Sequence, residues 1–420
     1  VLEVGDRIVV QTAAEQLLTI RPDGTNAVPL TNPAEGTANR QPSWAPDGSR
    51  LAWTATGADA TAEVRSARFD GTEWLQFPAG ADPFALSFDV SATRIAYLQS
   101  STAGFDLALA DLATGAVRVL DQGSPYWFAW SPDGDAVLIN ASGIRLDRVP
   151  LDGPVVVLEE LPALFQSPAW LPGPLSLVFA DEADGEPTLV VTGRDGEGRR
   201  PLVSYEGYLQ FAVSPASGFI AMQAIDEAQA PQVQVITASF QTEPPPFQED
   251  VVDPIEQDAL YVLPIFGGEP FSITDSPSLA WFWSPDGSTL AWVQKVAATA
   301  EDTTDCSSAD PAVRAGTIAT AYQWSFWRSG TLTFGPSFYP SWELRCTYLP
   351  FFDQYGKSTT FFSPDGTQFV YAGASEPGEP SQVWVTGTEG FETTGVVVAG
   401  DGTFAAWSPT TAGSGATSPA

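Results

Sequence analysis

The sequence predicts an all-β protein: a single eight-bladed β-propeller of four-stranded antiparallel blades, with seven blades as the alternative. Three observations predict it. A pentapeptide is written four times, as WAPDG from Trp44, WSPDG from Trp130 and from Trp283, and FSPDG from Phe362. Degenerate copies recur at a period that suits a blade of four strands. Short alternating or apolar runs separated by Gly and Asp turns fill each period, with no sustained helical pattern.

In chain order, the anchors open FDVSATRIAY at Phe88, WLPGPLSLVF at Trp170 and VSPASGFIAM at Val213, between and after the WAPDG and WSPDG copies at Trp44 and Trp130. WSPDGSTLAW at Trp283, FSPDGTQFVY at Phe362 and WSPTTAG at Trp407 follow. The spacings are 44, 42, 40, 43, 70, 79 and 45 residues. Five of them equal one blade, and the two long ones read as insertions, at about 226–257 and 298–322. Each motif is explained as a turn: Pro presets φ, Asp bonds nearby backbone N–H groups, and Gly accepts positive φ. The N-terminus carries three strands without an anchor (RIVVQ, LLTIRPDG, AVPLT). The C-terminus carries an anchor strand, TFAAWSP, with no strand after it. Together they predict one shared blade that closes the ring within a propeller over 1–408, leaving 409–420 as a low-complexity tail. Seven blades result if the Val213 unit is not a true blade.

Composition narrows the function. The 420 residues hold 51 acidic and 18 basic side chains, a formal net charge of −33. Nucleic-acid binding and attraction to an anionic membrane both need clustered Lys and Arg, so neither is expected. There is no His, which removes Ser-His-Asp and Cys-His nucleophile systems and every His-containing metal site. No apolar run is long enough for a membrane-spanning helix, so no membrane insertion is expected. A chain beginning at Val1 with the single Met222 is expected to be a processed form whose secretion signal has been removed. Cys306 and Cys346 are expected to pair as a disulfide in an oxidising compartment. Asn140–Ser142 matches a glycosylation acceptor pattern.

The repeat of anchor, Ser-Pro-Asp-Gly, two residues and an apolar strand, then a strand ending in Asp-Gly, resembles the TolB-type WD-like β-propeller repeat family. Trp44, Trp130, Trp283 and Phe362 carry the full Pro-Asp-Gly; the units at Phe88, Trp170 and Val213 depart from it. The stretch LPFFDQYGKS before Phe362 looks like a fixed element of some bacterial TolB-like propellers. The resemblance implies a fold and a tendency to bind partners, without implying an activity.

Candidate sites come from what interrupts the repeat. Aromatics crowd the sequence around the second insertion. Trp324, Trp327, Tyr339, Trp342, Phe351, Phe352 and Tyr355 are therefore expected at a partner surface. Acidic clusters at Asp181 and Asp184, and at Asp302, Asp305 and Asp310, are candidate Ca²⁺ ligands. The turn carboxylates Asp47, Asp133, Asp286 and Asp365 form a further candidate ring for cations. The expected function is a secreted or cell-envelope binding and assembly module with a protein partner, in a homo- or hetero-assembly such as a surface complex or extracellular filament. The alternative is a His-free enzyme of glycosidase or lyase type, using a carboxylate pair at the central channel.

Overall fold

The computed structural model describes residues 6–409, except 103, 160–165, 173–175, 184–185, 217, 227–256, 299–301, 307–316 and 391–393. The expected arm around the Pro triplet at 244–246 and the tail lie outside the described residues.

The anchors stand at or near the end of the innermost strand of each blade. Trp44 ends Ala38–Trp44, Phe88 ends Ala81–Phe88 and Trp130 ends Tyr126–Trp130. Trp170 lies in Ala169–Leu171, and Val213 ends Tyr208–Val213. Each of these strands begins an antiparallel four-stranded sheet. The Val213 unit is thus a complete blade, which removes the reason for counting seven. Trp283 ends Ala280–Trp283, the first strand of a seven-stranded sheet that holds the next two blades. The two merge where Tyr339 and Pro340 pair with Ala374 and Gly373. Only a bridge from Phe362 to Phe369 represents the inner strand of the second of them.

The ring closes as the sequence predicts. Ile8–Gln11 pairs with Phe404–Trp407 in the register Ile8 to Trp407 and Gln11 to Phe404. Leu17–Ile20 and Val28–Pro29 complete that sheet outward. Val9, Val10, Ala405 and Trp407 are all buried, so the closure is apolar as well as hydrogen-bonded.

The repeated motif forms a self-contained turn. In WAPDG the Asp47 carboxylate accepts from Ser49 N (2.9 Å) and Ser49 Oγ (2.7 Å), while Gly48, at φ 65°, donates its N–H to Ala45 O. Asp286 and Asp365 do the same for Ser288 and Thr367, and each also accepts from the serine two residues before it. The hydrogen bonds from Ser363 and Thr367 outweigh burial and hold Asp365 below the ordinary carboxylate range. In the degenerate copy FDVSATR the buried Asp89 takes over, accepting from Thr93 N and Arg94 N. These carboxylates, the expected cation ring, are each engaged by their own turn. Asp133 also pairs with Arg194 of the next blade.

The anchor tryptophans join neighbouring blades. The indole N–H of Trp44 donates to Ala406 O, that of Trp130 to Ser87 O, that of Trp170 to Ala129 O and that of Trp283 to Ala212 O. In each case the acceptor is the residue just before the anchor of the preceding blade. One side chain thus fills the space between blades and satisfies an inner-strand carbonyl. Phe88, Val213 and Phe362 lack the donor, and the buried indole N–H of Trp407 makes no such bond.

Candidate functional site: a blind funnel in the central channel

The chain closes its own channel. After Thr331–Pro340, residues 341–361 do not enter an inner strand directly. They climb the axis as a π-helical turn, Leu344–Tyr348, and a short helix, Phe352–Tyr355. Inner strands hold this plug from several sides. Phe128 N donates to Gln354 Oε1 (3.0 Å), Tyr355 OH to Gln41 Oε1 (3.1 Å) and Trp407 N to Thr360 O (2.7 Å). Ser43 Oγ and Ser167 Oγ donate to the carbonyls of Ser358 and Asp353. Phe352 packs 4.3 Å from Trp281, and Tyr348 stacks 3.9 Å from Phe404, ring centre to ring centre.

The plug is also tied to the second insertion. Cys306 and Cys346 form a disulfide, as expected. Next to it, Asp302 bridges Arg345 (2.9 Å) and the backbone N–H groups of Ala319 and Thr320. Partial burial opposes ionisation of Asp302, but those donors and Arg345 hold its carboxyl below the usual range.

Above the plug lies a cavity of about 550 Å³. Its walls are the anchors Trp130, Trp170 and Trp283 with the prolines that follow them in each turn, such as Pro132 and Pro285. Its floor is the plug, which contributes Phe352, Asp353 and Lys357. Below the plug, a second cavity of about 650 Å³ is lined by Arg345, Leu349, Tyr322 and Lys295. Both insertions leave from this lower end, because each joins the second and third strands of its blade.

Two ionisable groups share the floor. Burial raises the Asp353 carboxyl to about 6, against the pull of Lys357. Burial lowers the Lys357 amine to about 8, and Asp353 opposes that shift. Lys357 Nζ donates to Ser167 Oγ and to Pro168 O (3.1 Å).

Several expected site residues need correction. Trp324, Phe352 and Tyr355 are buried, so their aromatic density is packing around the plug and between blades rather than a partner surface. Trp327 is half-buried against Phe271, while Tyr339 and Trp342 are half-buried. Phe351 alone of the seven is exposed, beside Trp127. Of the calcium candidates, Asp302 is committed to Arg345 and Asp181 faces Arg199. Asp305 is exposed, and Asp184 and Asp310 lie outside the described residues. The glycosylation pattern fails because Asn140 is buried and donates to Gln166 O. The funnel aromatics were present in the sequence as repeat anchors, but nothing local marked three of them as walls of one cavity. Lys357 lay within the LPFFDQYGKS stretch.

No protein-family model matches the chain, and no curated protein does. Solved structures match it along nearly its whole length. A eukaryotic initiation factor is 11% identical over 96% of this chain and 98% of its own, with a TM-score of 0.53. The dihydro-heme d1 dehydrogenase NirN in complex with DHE is 11% identical over 97% of this chain and 76% of its own, at 0.55. TolB from Acinetobacter baumannii is 14% identical over 96% and 82%, at 0.41. The sheet topology makes the chain a β-propeller, and at such identities the likeness of the first two structures is one of fold alone; TolB proteins are also among its structural neighbours. Among the described residues no helix is long and apolar enough to cross a membrane.

Proposed function

We propose that the protein is a non-enzymatic binding and assembly module of the cell envelope or extracellular space, and that it takes a protein partner at the mouth of the blind funnel. The observation that carries this reading is the funnel lining: aromatic and proline side chains over a floor made by the chain itself. Concave, mostly apolar surfaces with a few convergent polar groups are where ligands and partner segments dock. A glycosidase-type site needs two carboxyl groups facing one substrate. Among the described lining residues the funnel has a single carboxylate, Asp353, influenced by Lys357. The disulfide supports an oxidising compartment, and the strong negative charge favours solubility and a cationic partner surface.

Site-specific photo-cross-linking in the native source tests the proposal. Val90 on the funnel lip and Val157 on an outermost strand are 52% and 56% exposed, a matched pair. A cross-linking residue at Val90 is expected to trap one discrete protein partner, with none from Val157. Adducts from Val157 alone, or from neither position, would overturn the funnel as the partner site.

A further inference from the structure

The chain has two lysines, Lys295 and Lys357, and one of them sits on the floor of its aromatic cavity. That placement is specific. Lys357 follows the short helix Phe352–Tyr355, and its amine is aimed at the entry to the Trp170 strand by Ser167 Oγ and the Pro168 carbonyl. An ammonium has three donors, so two protein acceptors leave one direction for a ligand. Asp353, four residues earlier and buried, is the charged group that acts on it. Tyr208, from the inner strand Tyr208–Val213, is the titratable group facing Asp353 from the blades.

We propose that Lys357 is a carbonyl-capturing lysine, which forms a Schiff base with an aldehyde or ketone whose aromatic or apolar body fills the funnel against Trp130, Trp170 and Trp283. Cavity size fits a ligand of a few fused rings, and the walls offer ring faces and proline edges with the amine at the bottom. In the reaction the neutral amine of Lys357 attacks the carbonyl carbon. A C–N bond forms as the C=O π bond opens, and one amine proton passes to the oxygen to give a carbinolamine. The protonated Asp353 carboxyl then donates to that hydroxyl, water leaves with the C–O bond electrons, and the C=N bond forms. The second nitrogen proton returns to Asp353. The balance is amine plus carbonyl giving imine plus water, with no other reactant.

Desolvation supports the chemistry. A lysine in an apolar pocket is a better nucleophile at neutral pH because less of it is protonated. With its amine lowered to about 8, roughly a tenth of Lys357 is neutral at pH 7, far more than for an ordinary lysine. Asp353, raised to about 6, retains a protonated fraction near neutrality that can serve the dehydration step.

The experiment treats the full chain at pH 7 with 2-naphthaldehyde and sodium cyanoborohydride, which fixes any imine as a secondary amine. Peptide mass mapping then compares Lys357 with the exposed Lys295 in the same molecule. Lys357 is expected to be labelled at least about tenfold faster, from its larger neutral fraction. Added 2-naphthol is expected to slow labelling at Lys357 and leave Lys295 unchanged. Because the comparison is internal to the native chain, it does not depend on a variant that folds. Equal or faster labelling of Lys295, or equal slowing of both lysines by 2-naphthol, would overturn the proposal.

Discussion

The propeller blades and the channel plug are built by opposite rules. A blade is assembled from contacts a few residues apart: the Asp286 turn uses Ser284 and Ser288, and the strands pair with their sequence neighbours. The joint between blades also recurs, at four anchors, as one indole bonded to one carbonyl of the preceding blade. The plug has almost no structure of its own. Two short helical turns are held by Gln41, Phe128, Ser167, Trp281 and Phe404, drawn from across the ring. The difference teaches that the repeats specify the ring locally, while the plug can form only once the ring supplies its walls.

Breaking the plug is therefore expected to cost most. Phe352→Ala removes a buried ring wedged against Trp281 and Phe282, and is expected to destabilise by about 3–5 kcal/mol in chemical denaturation. Its companion, Cys306→Ser with Cys346→Ser, frees the plug from the second insertion. It is expected to cost about 2–4 kcal/mol, and added reductant should reproduce the loss in the parent chain only.

A pH series sharpens the contrast, since the buried ionisable pair belongs to the plug. The folded-state pKa of Asp353 is raised from 3.8 to about 6, so between those values the native state holds more protons than the unfolded chain. Stability therefore falls as pH rises through that window, by at most about 1.4 kcal/mol per pH unit. Asp353→Asn should flatten this segment of the curve. Lys357, lowered from 10.5 to about 8, works in the other sense: the unfolded chain holds more protons there, so stability recovers above pH 8.

On the blade side the effects are smaller and repeat from blade to blade. Trp130→Phe keeps the ring but loses the bond to Ser87 O, an expected cost of about 1 kcal/mol. The same substitution at Trp283, which bonds Ala212 O, should cost a similar amount. Unequal losses would mean that the joints are not equivalent. Gly287→Ala places a Cβ on a residue at φ 69° and should cost about 1 kcal/mol.

This division also decides what the sequence made legible. The anchors and Pro-Asp-Gly turns were readable because each is local or periodic, the closing blade because the repeat is incomplete at both ends, and the disulfide because the chain has only two cysteines. Aromatic density around 324–355 was readable as density, but its placement was not. Phe352 and Tyr355 read as surface candidates because most of what buries them lies far along the chain: Trp281 and Phe282 pack on Phe352, and Gln41 bonds Tyr355. Asp302 read as a metal ligand because Arg345, its partner, stands beyond the next two strands. Trp130, Trp170 and Trp283 read as structural and are, yet the ring brings their faces to one cavity.

Amide hydrogen exchange across residues 344–358 tests the central claim most directly, that the chain plugs its own channel and makes the funnel blind. Leu349 N, bonded to Leu344 O, and Tyr355 N, bonded to Phe351 O, report on the plug itself. Protection within about tenfold of that in the inner strands Tyr126–Trp130 and Phe404–Trp407 is the predicted result, because opening the plug then requires opening the ring. Exchange of the plug at the rate of an exposed loop, with the inner strands still protected, would contradict it.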